Sequence, residues 1–193
     1  MATASKKKIT VSDVRLEVLS EIHMEKMKTF KSYEQDLVDY LLEDALNHQK
    51  NKVAQTYLVF HRGTNNLLAY ITFTNDCVKL EKIKPELKKK LRLKGIGYKS
   101  LPALKIARIC VNDNSVRNGL GSLLIQFAIH TVSQISKLSG CRFIILDAKR
   151  NSDPQNDAIH FYKKKGFEIL KERNRRETPL YLDTYPYLEE LNK

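Results

Sequence analysis

The residues best placed for chemistry run Val116-Arg117-Asn118-Gly119-Leu120-Gly121-Ser122. An apolar strand, Ile106 to Val111, and a polar turn, Asn112 to Asn118, lead into them, and the glycines open a long helix. The first N–H groups of a helix have no partner within it, and the aligned peptide dipoles leave that end partly positive. Such an end holds phosphate, and glycine lets a ligand come close to the main chain. The spacing fits a phosphate cradle, and it fits equally a plain glycine-capped helix start in another α/β protein. It is not a Walker loop, because no Lys-Ser/Thr follows the second glycine, nor is it a GxGxxG dinucleotide loop.

Around that stretch the chain must build the elements that position it. Leu120, Leu123, Leu124, Phe127, Thr131, Ile135 and Leu138 recur at helical spacing and predict one apolar face, with Gly140 ending the helix. Val14, Leu16 and Val18 alternate with charges, which predicts a half-buried strand. Ser32-Tyr33-Glu34-Gln35 fits a capping box for a helix running to about Gln49, with Leu37, Leu41, Ala45 and Leu46 on its apolar face. Ala54 to His61 and Leu67 to Thr74 read as a hairpin turned at Gly63 to Asn66. Asn75 to Ser100 is rich in lysine, with a short helix expected at Pro85 to Leu91. It is read as a solvated connection or as a basic rim for a polyanion. Phe143 to Leu146 suits a strand covered on both faces. Asp153-Pro154 starts a short helix, Gly166 stops it, and Phe167 to Leu170 and Pro179 to Thr184 are the last strands. The order β-α-β-β-β-α-β-α-β-β implies an α/β (α+β) chain with a mixed sheet and helices on both faces.

Composition narrows the setting. The 193 residues suggest one domain, 42% hydrophobic and 29% charged. Lys and Arg total 34 against 22 Asp and Glu, a net charge of +12. That balance suits anionic partners such as nucleic acid or CoA, or simply a soluble basic surface. Cys77, Cys110 and Cys141 have no metal-ligand spacing, so no metal is expected, and Cys110 reads as a small core residue. No apolar run is long enough to span a membrane. Met1 to Thr10, with Lys6-Lys7-Lys8, has no apolar core and reads as a loose basic tail. A cytoplasmic protein is expected.

The loop resembles the acyl-CoA pyrophosphate loop of the GNAT acetyltransferase superfamily, Gln/Arg-x-x-Gly-x-Gly/Ala, with Val116 at the first position and the basic residue shifted to Arg117. A second stretch, Asp157-Ala158-Ile159-His160-Phe161-Tyr162-Lys163-Lys164-Lys165-Gly166-Phe167, resembles the GNAT pattern A-x-x-F-Y-x-x-x-G-F. The two occur in family order, and the resemblance covers roughly Val14 to Leu182. It implies a GNAT fold, acetyl-CoA as co-substrate and Tyr162 as general acid. It also implies that Ile109, Cys110 and Val111 line the pantetheine arm, one backbone N–H meeting the thioester carbonyl. Val116 to Ser122 would take the pyrophosphate, and Asn156 lies near a family cofactor contact. His130 and His160 read as surface or packing residues.

A narrower resemblance is to the GNAT toxins of toxin–antitoxin modules. Phe30-Lys31-Ser32, then Leu37, Tyr40-Leu41, Ala45 and Gln49, is similar to their first helix, with Ser32 where Cys is frequent. Leu101 to Asn112 is similar to their strand P-x-L-x-x-x-R-L-A-V-D, with Asn112 for the Asp. It implies that the acceptor is the α-amine of aminoacyl-tRNA, met by Arg108 and the basic rim, with a second copy or an antitoxin-like chain as partner. The central strand carries no carboxylate to act as base. An α-amine, at a pKa of about 7.7, needs a base less than a lysine at about 10.4. Acetylation of a small-molecule or protein amine is the competing reading, and a non-catalytic module that holds CoA or RNA is a third.

Overall fold

The computed structural model describes residues 8–80, 83, 85–91, 93, 95–150, 158–171 and 177–191. The strands are β1 (Val14–Val18), β2 (Gln55–His61), β3 (Leu67–Lys79), β4 (Ser100–Val111), β5 (Phe143–Lys149), β6 (Glu168–Ile169) and β7 (Glu177–Asp183). The helices are α1 (Met24–Met27), α2 (Gln35–Asp39), α3 (Ala45–Lys50), α4 (Pro85–Lys90), α5 (Leu120–Ser139), α6 (Ala158–Lys164) and α7 (Tyr185–Leu191). The seven strands hydrogen-bond in the order β1-β2-β3-β4-β5-β7-β6. Pairs β1–β2, β2–β3, β5–β7 and β6–β7 are antiparallel, and β4–β5 is parallel. The sheet is thus mixed and mostly antiparallel. The chain divides into two compact units.

Unit one holds residues 1–74 and 107–126. Its hairpin has the expected turn, with the register slipping between Val59 and Phe60. The buried hydroxyls of Thr56 and Thr72 face each other across the ladder at 2.9 Å, each supplying the polar partner the other needs. The helix after Ser32 departs from expectation. It begins at Gln35, with Glu34 as N-cap and no side-chain capping bond. Ser32 Oγ instead accepts the Glu34 N–H at 3.2 Å, and the Gln35 side chain donates forward to Asp39 at 2.8 Å. Serine's short hydroxyl makes this local turn as readily as it makes a cap. A π turn, Tyr40–Asp44, then separates α2 from α3. Leu41 and Ala45 are fully buried, with Val38 and Tyr40 beside them and Leu37 and Leu46 half-covering the same core. Residues 1–7 of the expected tail lie outside the described residues, while Ile9 N–H donates to the Asn118 carbonyl at 2.9 Å.

Unit two holds residues 75–106 and 127–193. The lysine-rich stretch is built into it. Strand β3 runs on to Lys79, α4 forms where the short helix is expected, and β4 starts at Ser100, earlier than its apolar run suggests. Leu80, Ile83, Leu91 and Leu93 are buried with Leu101, Phe143, Ile145 and Tyr181 in one cluster, leaving Lys88, Lys89 and Lys90 outward. Arg142 grips Asp183 through two bonds of 2.8 Å, donates to the Leu91 carbonyl at 2.8 Å, and stacks on Tyr185 of α7 at 5.0 Å. Helix α7 is not anticipated by the residue pattern. Residues 172–176, expected as a charged turn, lie outside the described residues.

Helix α5 belongs to both units and corrects its predicted face. The buried apolar residues are Leu120, Leu124, Ile125, Ala128 and Val132, with Ser133 buried beside them, whereas Leu138 is 90% exposed. Leu123, Phe127, Thr131 and Ile135 are half-buried, so the covered stripe is rotated toward Ala128 and Val132. A small residue on that face lets the helix approach its neighbours closely, which a count of large apolar residues overlooks.

One pH effect follows in unit two. Glu168 accepts from Lys90 at 2.6 Å and from the Tyr181 hydroxyl at 2.9 Å, and these donors, Lys90 first, hold its carboxyl below the ordinary range. A lowered folded pKa adds stability above the unfolded value of about 4.3, and that stability is lost as pH falls through the folded pKa. Between about pH 5 and pH 3, the melting temperature of Glu168→Gln should therefore fall less steeply than that of the wild type.

Candidate active site

In unit one the last residues of β4 lead straight to the glycine loop. Cys110 is buried in the core with Phe30, Tyr40 and Tyr70, as expected of a small core residue, while Ile109 and Val111 are not fully covered. The strand is fixed at its end by Asn112 N–H donating to the Leu68 carbonyl at 2.8 Å. The Asn112 side chain accepts the Asn114 N–H at 3.1 Å and caps a single 3-10 turn, Asp113–Ser115. Asp113 N–H donates to the Lys31 carbonyl at 3.0 Å, and Asp113 Oδ1 accepts the Tyr33 N–H at 3.3 Å. The Phe30-Lys31-Ser32 stretch therefore lies against the loop.

The loop itself is bent by two left-handed residues. Arg117 has φ 65° and Gly119 φ 90°. Glycine takes that conformation without strain, and an L residue such as Arg117 pays for it. Such strain collects where backbone must present itself to a ligand. The Gly119 carbonyl accepts the N–H groups of Ser122 at 3.0 Å and Leu123 at 3.2 Å. Of the main-chain donors expected at Val116 to Ser122, Ser122 turns back into the helix, while Leu120 and Gly121 stand in the first turn, where a helix cannot pair N–H groups internally. Val116 is half-buried and extended, and Arg117 is exposed. Asn118 Oδ1 is a buried oxygen with no hydrogen-bond partner among the described residues. Buried oxygens of this kind are uncommon, and a ligand donor would satisfy it. This loop fits a CoA pyrophosphate.

Arg108 sits two residues before Cys110 and is exposed. Its guanidinium lies over the Tyr40 ring at 5.0 Å, and Nη1 donates to the Ala107 carbonyl at 2.7 Å. Tyr40 is supported in turn by His48, edge to face at 5.6 Å. The π turn widens the helix where Tyr40 must turn its ring beneath the arginine, and such turns are frequent at functional positions. The sequence names Arg108 and Tyr40 separately; only the fold stacks them.

Tyr162 stands in unit two, on α6, and is 7% exposed. Its ring lies edge to face between Phe161 at 5.1 Å and Phe167 at 5.5 Å. Its carbonyl accepts the Lys165 N–H at 2.9 Å and the Phe167 N–H at 3.1 Å, which closes the helix at Gly166, φ 85°. A Cβ on Gly166 would come within 3.3 Å of Leu182 and 3.4 Å of the Tyr187 hydroxyl, so this turn needs glycine both for its conformation and for its space. His160 and His130 are exposed, as expected. Asn156 lies outside the described residues. Among the described residues no group of three or more His, Cys, Asp or Glu could hold a metal, and no helix is long and apolar enough to cross a membrane.

Comparison with known proteins bears on this geometry. Residues 86–169 match the family model described as Acetyltransferase (GNAT) domain. No curated protein matches the chain by sequence. Among solved structures, AtaT complexed with acetyl-methionyl-tRNAfMet is 21% identical, with a TM-score of 0.75 over 94% of this chain and 100% of that one. A Tyr→Phe mutant of KacT is 21% identical, with a TM-score of 0.76 over 93% and 99%. A Tyr→Phe mutant of the AtaT toxin, bound to acetyl-CoA and the C-terminus of the antitoxin AtaR, is 20% identical, with a TM-score of 0.69 over 94% and 99%. The matched family model covers β4, the glycine loop, α5 and Tyr162, and the fold is shared along nearly the whole chain: residues 86–169 carry a GNAT acetyltransferase domain, and the chain has the GNAT fold.

Proposed function

We propose that the chain moves an acetyl group from acetyl-CoA to the α-amine of an aminoacyl-tRNA. The observation that carries this reading is the fold shared end to end with AtaT, which is bound in one structure to acetyl-methionyl-tRNAfMet. Two features of this chain support it. Arg108 is exposed and braced on Tyr40, a preorganised fork for a phosphate. Strand β4 has no carboxylate to take a proton from a lysine, and an α-amine needs a base least.

The amine lone pair attacks the thioester carbonyl, a C–N bond forms, and the carbonyl oxygen gains charge that a backbone N–H of Ile109 to Val111 stabilises. Collapse breaks the C–S bond, the sulfur takes the Tyr162 proton, and the proton released by the amine passes to water. Val116 to Ser122 hold the pyrophosphate, mainly through Leu120 and Gly121, and Asn156 is kept as a further cofactor contact. The working compartment is the cytoplasm, where charged tRNA and acetyl-CoA meet. The partner that restrains the enzyme is an antitoxin-like chain, or a second copy completes it.

The test offers labelled acetyl-CoA with charged tRNA, a polyamine and a lysine-rich peptide in parallel. Label should appear on charged tRNA. Arg108→Ala should lower kcat/KM for tRNA by about tenfold and flatten its log–log salt slope by about one. Label on polyamine or peptide instead would leave an acetyltransferase of another amine. Tight CoA binding with no label on any acceptor would leave a binding module.

A further inference from the structure

The segment before β1 reaches the glycine loop. A Cβ placed on Gly119 would lie 3.5 Å from Lys8 Cγ, 3.6 Å from the Ile9 carbonyl oxygen and 3.7 Å from Lys8 Cε. With two carbons of one side chain at contact distance, Lys8 lies flat along the bare face of the glycine, its ammonium one bond beyond Cε. Its position is set by the main chain, because the neighbouring Ile9 N–H donates to the Asn118 carbonyl at 2.9 Å. The ammonium thus stands at the Gly119 end of the loop that opens α5, where the dipole already favours an anion.

The loop has a deficit at this point. The first position of its motif, which in the resemblance carries Gln or Arg, is Val116, whose side chain can neither donate nor carry charge. We propose that Lys8 supplies, beside the shifted Arg117, the cation that Val116 does not, and is a ligand of the acetyl-CoA phosphates, delivered from the N-terminal segment. The proposal rests on the reading of Val116 to Ser122 as the cofactor loop. Lysine suits this role, because its ammonium is a compact charge on a flexible stem, able to swing from the glycine face to a phosphate oxygen without moving the backbone.

The experiment measures dissociation constants by calorimetry for two donors, acetyl-CoA and S-acetylpantetheine, which carries no phosphate. The proteins are the wild type, Lys8→Met, which keeps the stem and loses the charge, and Lys8→Arg. Lys8→Met should weaken acetyl-CoA about 5–10-fold, leave S-acetylpantetheine unchanged and flatten the salt dependence of acetyl-CoA binding; Lys8→Arg should restore most of the affinity. Equal weakening of both donors would make Lys8 a packing residue, and tighter acetyl-CoA binding would make it a cover to be displaced; an unchanged constant for acetyl-CoA would remove it from the site. Each of these overturns the proposal while the loop reading stands. A wild type that binds acetyl-CoA no better than S-acetylpantetheine would take down the loop reading, and this one with it.

Discussion

Replacing Tyr162 with phenylalanine should lower the single-turnover rate of acetyl transfer about 10²–10⁴-fold and leave the dissociation constant for acetyl-CoA within about twofold. The substitution removes one hydroxyl and keeps the ring. That ring is what Phe161 and Phe167 hold at 5.1 and 5.5 Å, so the aromatic contacts are kept in the variant. A thiol with a pKa near 8.5 leaves better once protonated, and under the proposed function proton delivery at the moment of C–S cleavage is the step the hydroxyl would serve. Rapid quench of enzyme-bound acetyl-CoA with excess acceptor isolates that step from product release. A melting temperature that drops while the rate holds would mark Tyr162 as a core residue, with the acid sought elsewhere. Phe167→Leu is the companion variant: it keeps the hydroxyl and loosens its cage, so it should cost less in rate than Tyr162→Phe and more in thermal stability.

Phe143→Ala should have the largest effect on stability, about 3–5 kcal/mol. Phe143 is fully buried on β5, between β4 in parallel register at Ala103 and β7 in antiparallel register at Asp183. Its ring meets Tyr181 edge to face at 6.3 Å and carries the Arg142 guanidinium over its face at 5.3 Å. Truncation opens a cavity among Leu91, Leu101, Ile145 and Tyr181, and it also strips the support beneath the Arg142–Asp183 pair. Stabilities of about 5–15 kcal/mol are usual for a domain, so one such loss consumes a large share. Urea unfolding should show a lower midpoint at an unchanged slope. A loss below about 1 kcal/mol would mean that the leucines from the lysine-rich stretch collapse into the space.

That stretch marks the boundary of what the sequence disclosed. Where hydrophobic period and punctuation agree, as in the β2–β3 hairpin, α5 and the run Phe143 to Leu146, the elements are legible from residue order alone. Where charge outnumbers apolar residues the pattern misleads: Leu80, Ile83, Leu91 and Leu93 are spaced among lysines and look solvated, yet they line a core. The capping box at Ser32 matched in letters and failed in geometry, since a serine hydroxyl can serve its own turn as easily as a helix end. Tyr162, Arg108 and the glycine loop are candidates that motifs single out, because motifs are local. The stacking of Arg108 on Tyr40 and the approach of Lys8 to Gly119 join residues distant in the chain, and no local pattern encodes either.

The bond from Ile9 to Asn118 also fixes an order of assembly. Four strands, β1 to β4, separate its two ends, so the first described residues to leave the ribosome wait for most of unit one before they can dock. Closing so long a loop is entropically the latest kind of step, made worthwhile only by structure already formed around it. The glycine loop is therefore finished from both directions of the chain, and a growing polypeptide carries its N-terminal strap long before the α5 end gives that strap a place to bind. The loop cannot be finished until Asn118 has been made, and translation itself sets the moment at which that happens.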